Sequence, residues 1–331
     1  MSSTKDYVFY VLSIFVFIHH LKFVITLSSF KNVDTVNNHV QQSRITLETQ
    51  SYEVAPGITY EYMYIKAIND VDHPKATILF LHGFPSSLHS WRHQLKHFSR
   101  QGYGCLAPNM MGYGKTYSPL NKDEYKAKSM VNHLISLLDY LSLDKVFVVS
   151  HDWGTLPASR FVLYYPERTL GLVLLSIGYQ VPGILDFDQA LKSSKEFCGF
   201  ETLGYWQFFD SDEAAKLIES NLESFIDLLF ASNATLIKTA LVPLGKLRQW
   251  LTSGRRTNRV SFMTEDDFDV IHQFLVNAVR PKLNWYKAAI GNINWNDEMN
   301  LDPNIKRPVL FIRDALRYPC LTPFWHDKVN T

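Results

Sequence analysis

The chain has 331 residues, of which 46% are hydrophobic and 14% aromatic, and its formal net charge is +1. This composition is typical of a globular protein with a sizeable core, either one large domain or a core with an inserted subdomain. A near-neutral chain without a basic stripe gives no indication of nucleic-acid binding. The three cysteines have no CxxC spacing, and no metal or cofactor site is predicted.

The N-terminal thirty residues are strongly hydrophobic. Residues 7–18 are uncharged and mostly apolar, a length that suits a signal-peptide core and is too short to span a bilayer. Extension to residue 27 gives a stretch long enough to span if Lys22 reaches the interface. No small-residue cleavage site follows, so we predict membrane anchoring by residues 7–27, for example in the endoplasmic reticulum. Secretion after cleavage and a packed amphipathic helix are the alternatives.

Strand and helix patterns alternate after a polar linker at residues 31–52. Residues 58–68 alternate in polarity, which predicts an antiparallel strand, and the continuous apolar runs at 75–83 and 170–177 predict strands buried on both faces of a parallel sheet. Between them, residues 129–143 have apolar side chains at helical spacing. This alternation predicts an α/β domain with a doubly wound sheet.

A helical block interrupts the alternation, and the strand pattern returns only at residues 307–314. We therefore predict an α/β core at 53–181, an inserted helical cap at 182–285, and a continuation of the core at 286–331. An insertion of this kind is expected to cover the carboxyl ends of the strands, where such folds bind ligands.

A carboxylate lies at the corner between a predicted buried strand and a helix, in Ser150-His151-Asp152-Trp153-Gly154. The nucleophile elbow, usually G-x-S-x-G, places a reactive side chain on a sharp strand-to-helix turn between small residues. A carboxylate in that position can attack an sp³ carbon and leave an ester on the enzyme. The alternative interpretation is that Asp152 only caps the following helix.

A second motif, His82-Gly83-Phe84-Pro85, directly follows another predicted buried strand. In this architecture the backbone N–H groups after that glycine and after the nucleophile form an oxyanion hole. Those groups would belong to Phe84 and Trp153. The two motifs together favour a catalytic role for Asp152 over a capping role.

These motifs resemble those of epoxide hydrolases with the α/β-hydrolase fold, over residues from about 50 to 312. The glycine-rich segment 111–119 is similar to the family's stretch after the fourth strand. Asn109 stands where that family usually has an aspartate, and we interpret this difference as structural rather than catalytic. The resemblance implies a small apolar epoxide and water as substrates.

The family is known for two cap tyrosines that bind the epoxide oxygen opposite the nucleophile. The segments LGYWQFF and LNWYKA match those motifs and assign Tyr205 and Tyr286 to this role. A phenol can donate a hydrogen bond or a proton to a developing alkoxide. For each tyrosine the alternative is an ordinary packed ring. Haloalkane dehalogenases share the aspartate nucleophile, but Phe84 and the tyrosine pair favour the epoxide.

Ester hydrolysis in the family requires a histidine after the eighth strand, and this sequence contains no Gly-His-Trp motif. His326 lies too close to the predicted seventh strand. His151 is interpreted as a packing residue and His82 as a structural residue of the family's HG motif. Asp314 is the only candidate for the acid that orients the base. We therefore expect a C-terminally truncated fold without the last strand and helix, and impaired ester hydrolysis. A non-catalytic binding protein on this scaffold and a membrane-anchored interaction protein are the alternatives; the oligomeric state is not indicated.

Overall fold

The computed structural model describes residues 48–68 and 75–312. Within these ranges the chain forms one seven-stranded sheet with the order β1-β2-β4-β3-β5-β6-β7. The strands are β1 (Gln50–Ala55), β2 (Ile58–Ile65), β3 (Thr77–Leu81), β4 (Gly104–Pro108), β5 (Val146–His151), β6 (Thr169–Leu175) and β7 (Val309–Ile312). The pairs β1–β2 and β2–β4 are antiparallel, and the pairs from β4 to β7 are parallel. The predicted α/β class is confirmed.

Burial in the sheet follows the apolar runs of the sequence. All five residues of β3 are buried, as expected for a central parallel strand that is covered on both faces. The antiparallel β2 is only partly buried. The first strand begins at Gln50, inside the segment 31–52 that was predicted as a linker, because its residues pair with β2 from Gln50 onward.

Three helices follow strands of the core: α1 (Arg92–Arg100), α2 (Ala127–Tyr140) and α3 (Thr155–Tyr164). The predicted helix at 129–143 corresponds to α2, whose apolar stripe at Val131, Leu134 and Leu138 is buried. Four short 3₁₀ turns complete this part of the core: Leu88–Trp91, Lys122–Glu124, Asp152–Gly154 and Pro166–Arg168.

The cap is a helical excursion between β6 and β7. Its helices are α4 (Phe187–Cys198), α5 (Gly204–Asp210), α6 (Ala214–Glu219), α7 (Leu222–Leu229), α8 (Lys246–Thr252) and α9 (Glu265–Leu275), with a π-turn at Ile237–Leu241. Two further helices, α10 (Val279–Ile290) and α11 (Trp295–Glu298), lead back to β7. Helix α10 packs against α5 and α6 of the cap and against the Lys122–Glu124 turn of the core, so it joins the two layers.

Ion pairs connect the cap segment to the core at different places, and two of them are close pairs of arginine and carboxylate. Arg160 of α3 binds both carboxylate oxygens of Glu298 at 2.6 and 2.8 Å and also donates to the carbonyl of Gln180. This pair therefore links the start of the excursion to its end. At the second place, Arg92 of α1 binds Asp267 of α9 at 2.6 Å.

The predicted N-terminal anchor at residues 7–27 lies outside the described residues, as do Asp314 and His326. In the described ranges 48–68 and 75–312, no helix combines the length and the apolar character that a membrane crossing requires.

Candidate active site

Asp152 occupies a strained corner immediately after β5. Its φ is +52°, a left-handed conformation that costs a non-glycine residue free energy and that is found mainly at functional sites. The turn fits against β3 only because residue 154 is glycine: a Cβ there would lie 2.3 Å from the carbonyl oxygen of Leu81. This geometry agrees with the nucleophile elbow predicted from the sequence.

The loop after β3 approaches the same carboxylate. A Cβ on Gly83 would lie 2.4 Å from Oδ1 of Asp152 and 2.5 Å from the backbone nitrogen of Trp153. Glycine at this position lets the two loops meet, and the backbone N–H of Phe84 donates to Oδ1 of Asp152 at 2.9 Å. The predicted oxyanion-hole residues Phe84 and Trp153 are thus both beside Asp152, and both are largely buried.

His82 connects this loop to the segment after β4. Its Nε2 accepts from the backbone N–H of Met110 at 2.9 Å, and its Nδ1 lies 3.0 Å from the carbonyl oxygen of Gly83. Burial lowers the pKa of His82 to about 4, so the ring is neutral at pH 7 and uses both nitrogens for loop contacts. This agrees with a structural role.

Of the two predicted cap tyrosines, Tyr286 contacts the nucleophile loop and Tyr205 contacts Tyr286. Tyr286 on α10 is 3% exposed, and its ring centroid is 4.9 Å from that of Trp153 and 5.5 Å from that of Phe84. Tyr205 on α5 lies 6.0 Å from Tyr286 in an edge-to-face arrangement. The structure therefore brings Phe84, Trp153 and Tyr286 together at the Asp152 corner, with Tyr205 beside Tyr286.

The neighbours of Tyr286 on α10 hold the helix on the core. Asn284 donates to the carbonyl oxygens of Pro119 and Leu120 at 3.2 and 3.1 Å. The indole N–H of Trp285 donates to the carbonyl of Met111 at 3.0 Å. These bonds anchor α10 to the glycine-rich segment 111–119 and thereby fix the position of the Tyr286 ring.

Burial raises the pKa of Tyr286 well above its ordinary value. The neighbouring Tyr205 and the negative charge of Asp152 raise it further, while a hydrogen bond with Trp153 opposes them. The phenol therefore keeps its proton throughout the physiological range and can act as a donor.

Asn109 is the residue directly after β4. Its side-chain oxygen accepts from the N–H of Leu88 at 2.9 Å, and its Nδ2 donates to Oε2 of the buried Glu61 at 2.7 Å. Glu61 also accepts from the N–H of Lys115 at 3.0 Å. A carboxylate at position 109 would face that of Glu61, so the amide fits its neighbour.

The other candidates for ester hydrolysis are placed only in part. His151 is the last residue of β5, directly precedes Asp152 and is half-buried. Asp314 remains a prediction.

Sequence reasoning missed the aromatic surroundings of the two tyrosines. Trp206, next to Tyr205, has its ring centroid 5.0 Å from that of Trp153 and 5.3 Å from that of Tyr286. Phe209, one helical turn from Tyr205, lies 4.7 Å from Tyr286. The motif LGYWQFF contains these residues, and its density of aromatic residues was the available signal.

Comparison with known families decides the superfamily. The family model described as alpha/beta hydrolase fold matches residues 76–313, which is more than half of the chain. The chain belongs to the α/β-hydrolase fold family. The mixed sheet of this α/β-hydrolase and the helical insertion between its strands β6 and β7 agree with that assignment.

Curated relatives of this α/β-hydrolase include epoxide hydrolases. Epoxide hydrolase 3 of Siraitia grosvenorii is 39% identical over 151 residues, covering 44% of this chain and 48% of the relative. The chain thus spans about half the length of that relative. Epoxide hydrolase srdG of Neurospora crassa is 26% identical over 272 residues, covering 76% of this chain and 75% of the relative. The resemblance to epoxide hydrolases is confirmed.

A solved structure of an epoxide hydrolase is also similar to this chain. The crystal structure of epoxide hydrolase VrEH1 from Vigna radiata superposes with a TM-score of 0.63 at 26% identity, covering 80% of this chain and 79% of that one.

Proposed function

We propose that this α/β-hydrolase opens small apolar epoxides by nucleophilic attack of Asp152. The observation that carries the proposal is the position of the carboxylate. It lies on a strained corner, and one of its oxygens accepts from the N–H of Phe84 at 2.9 Å. The buried ring of Tyr286 contacts the ring of the next residue, Trp153, edge-to-face. The similarity to proteins named epoxide hydrolases supports the choice of substrate.

The proposed step balances as follows. The Asp152 oxygen that Phe84 does not hold donates an electron pair to an epoxide carbon, and a C–O bond forms there. The ring C–O bond breaks and its electron pair moves to the former ring oxygen. That oxygen takes the proton of Tyr286, with Tyr205 as the second donor. Water then returns a proton to the phenol and becomes hydroxide, which carries the negative charge that the Asp152 carboxylate loses. The products are a hydroxyalkyl ester of Asp152 and an intact tyrosine pair.

We also propose that the 331-residue polypeptide hydrolyses this ester slowly. Hydrolysis needs a water that a base activates, and the sequence contains no Gly-His-Trp motif of the kind that supplies the base in the family. When water attacks the ester carbonyl, the N–H groups of Phe84 and Trp153 would hold the resulting oxyanion.

The experiment is incubation of the purified protein with styrene oxide, followed by intact-mass spectrometry and peptide mapping. We expect a mass increase of one substrate molecule, located on Asp152, and no adduct in the Asp152→Asn variant. Asp139→Asn is the matched control, because the Asp139 side chain is 61% exposed and lies in α2, and it should form the adduct normally.

Other results would contradict parts of the proposal. Absence of any adduct and of any diol product would contradict the nucleophile role and favour a non-catalytic binding protein. Rapid multiple turnover would contradict only the proposal of slow ester hydrolysis and would leave the nucleophile role intact. Release of bromide from 1-bromobutane without reaction of the epoxide would favour the haloalkane dehalogenase alternative.

A further inference from the structure

Trp206 presents a hydrogen-bond donor that the described part of the protein does not use. Its ring is surrounded by aromatic rings: Trp153 at 5.0 Å, Tyr286 at 5.3 Å and, nearly parallel, Phe187 at 6.4 Å between centroids. Its Nε1 is buried and has no hydrogen-bond partner among the described residues. A buried donor without an acceptor destabilises a protein by about 1–3 kcal/mol, so this group calls for an explanation.

Two other buried indoles show the usual outcome. The N–H of Trp285 donates to the carbonyl of Met111 at 3.0 Å, and that of Trp250 donates to the carbonyl of Ser224 at 3.3 Å. Trp91 resembles Trp206 in that its Nε1 has no partner within residues 48–68 and 75–312. However, Trp91 packs against Phe80 in a separate hydrophobic cluster. Trp206 differs because it contacts Trp153 and Tyr286, which are both assigned to the active site.

The position of Trp206 relates it to the substrate. A ligand held between Asp152 and Tyr286 has its epoxide at the two reacting groups, and its substituent must extend along the neighbouring aromatic wall. Trp206 contacts both Trp153, the residue after the nucleophile, and Tyr286. The Trp206 ring therefore belongs to the aromatic wall beside the two reacting groups.

We propose that the indole N–H of Trp206 donates a hydrogen bond to the substrate and thereby selects epoxides with an uncharged acceptor oxygen next to the ring, such as aryl glycidyl ethers. This inference rests on the proposed function. The acceptor is uncharged because the carboxylate of Asp152 would repel an anion, and an anion would lose its hydration among the aromatic rings. The aromatic rings also favour an aryl group, which can stack or pack edge-to-face.

The test compares two substrates that differ in one atom: phenyl glycidyl ether and 4-phenyl-1,2-epoxybutane, in which a CH₂ group replaces the ether oxygen. The measurement is the rate of ester formation on the protein by intact-mass spectrometry. The reaction of each compound with acetate in water corrects for intrinsic reactivity. We expect the wild-type protein to prefer the ether about 3- to 10-fold beyond that correction, the effect of one net hydrogen bond.

Trp206→Phe retains the aromatic ring and removes the donor. We expect this variant to lose the preference for the ether, so that its rates with the two compounds, each corrected for intrinsic reactivity, agree within about twofold. Trp91→Phe is the matched control, because it removes the other unpartnered indole donor from a different cluster. This control should keep the wild-type preference.

The outcomes separate the two proposals. If the wild-type protein shows no corrected preference for the ether, or if Trp206→Phe retains the preference, the role of Trp206 is refuted. The wild-type measurement decides even if the variant does not fold. If neither compound forms an ester in any of the proteins, the proposed function itself is refuted.

Discussion

The core and the cap contribute to the candidate site in different ways. On the core side, the position of Asp152 depends on backbone geometry: a left-handed φ of +52° and two loops that meet only because Gly83 and Gly154 lack side chains. On the cap side, the rings of Tyr205 and Tyr286 pack against neighbouring aromatic rings at 4.7–6.0 Å. A close backbone approach cannot adjust to an added atom, whereas aromatic packing can rearrange. We therefore expect mutations on the core side to cause the larger effects.

The largest effect is expected from Gly154→Ala. The added Cβ would lie 2.3 Å from the carbonyl oxygen of Leu81, a backbone atom that cannot turn away. We expect the free energy of unfolding to fall by about 1–3 kcal/mol, and ester formation at Asp152 to be lost because the elbow must shift. Chemical denaturation and intact-mass spectrometry measure the two quantities.

Gly183→Ala is the matched control for this prediction. Gly183 lies at the start of the cap segment and has nothing within 4 Å of the added Cβ. This variant should match the wild-type protein in both measurements. A Gly154→Ala protein with wild-type stability and reactivity would show that the elbow tolerates movement, against the contrast drawn between core and cap.

An intermediate effect is expected from loss of the Tyr286 hydroxyl. Tyr286→Phe keeps the packed ring but removes the donor, and general acid catalysis contributes about 10²–10⁴-fold. We expect the rate of ester formation to fall by about 100-fold or more, and less for Tyr205→Phe because Tyr205 is less buried. Burial raises the pKa of Tyr286 well above its ordinary value, so the phenol should stay protonated as pH rises to about 10. The wild-type rate of ester formation should therefore not decline over this range because of deprotonation of Tyr286.

Tyr60→Phe controls for the removal of a buried hydroxyl elsewhere. Tyr60 is fully buried, and its hydroxyl lies 3.4 Å from His133, away from the nucleophile elbow. We expect altered stability and an unchanged rate. Equal rates for Tyr286→Phe and the wild-type protein would refute the role of Tyr286 as the acid.

The same contrast explains what the sequence could predict. The elbow and the HG loop can each be recognised from a few consecutive residues, so Asp152 and Phe84 were identifiable. The strands and α2 follow from hydrophobic periodicity. Contacts between distant segments leave no local signal: the bond of Asn109 to Glu61 joins residues 48 positions apart. The environment of Trp206 likewise depends on four separate segments that only the fold brings together.

The two arginine–carboxylate pairs between cap and core, Arg160–Glu298 and Arg92–Asp267, also differ in how much each depends on a fixed geometry. Arg160 and Glu298 have 3% and 2% of their side chains exposed, so loss of one partner would leave an uncompensated charge in the interior. Arg92 is 20% exposed and Asp267 8% exposed, and water can replace part of their interaction. The first pair holds both ends of the cap segment on α3, whereas the second holds only one helix of the cap.

The smallest effect is therefore expected from Asp267→Asn. Burial alone would raise the pKa of Asp267, but hydrogen bonds from Thr264 and the charge of Arg92 together hold it below its usual value. A carboxyl group with a lowered pKa stabilises the folded protein above the pKa of the unfolded chain, and this stabilisation is lost as pH falls through the folded-state pKa. We expect Asp267→Asn to lower the free energy of unfolding by about 1 kcal/mol at pH 7, with a smaller difference from wild type near pH 3. Asp266→Asn, at an exposed neighbour on α9, should show no such difference. A pH-independent loss of stability in Asp267→Asn would mean that the cap is held here by packing and not by charge.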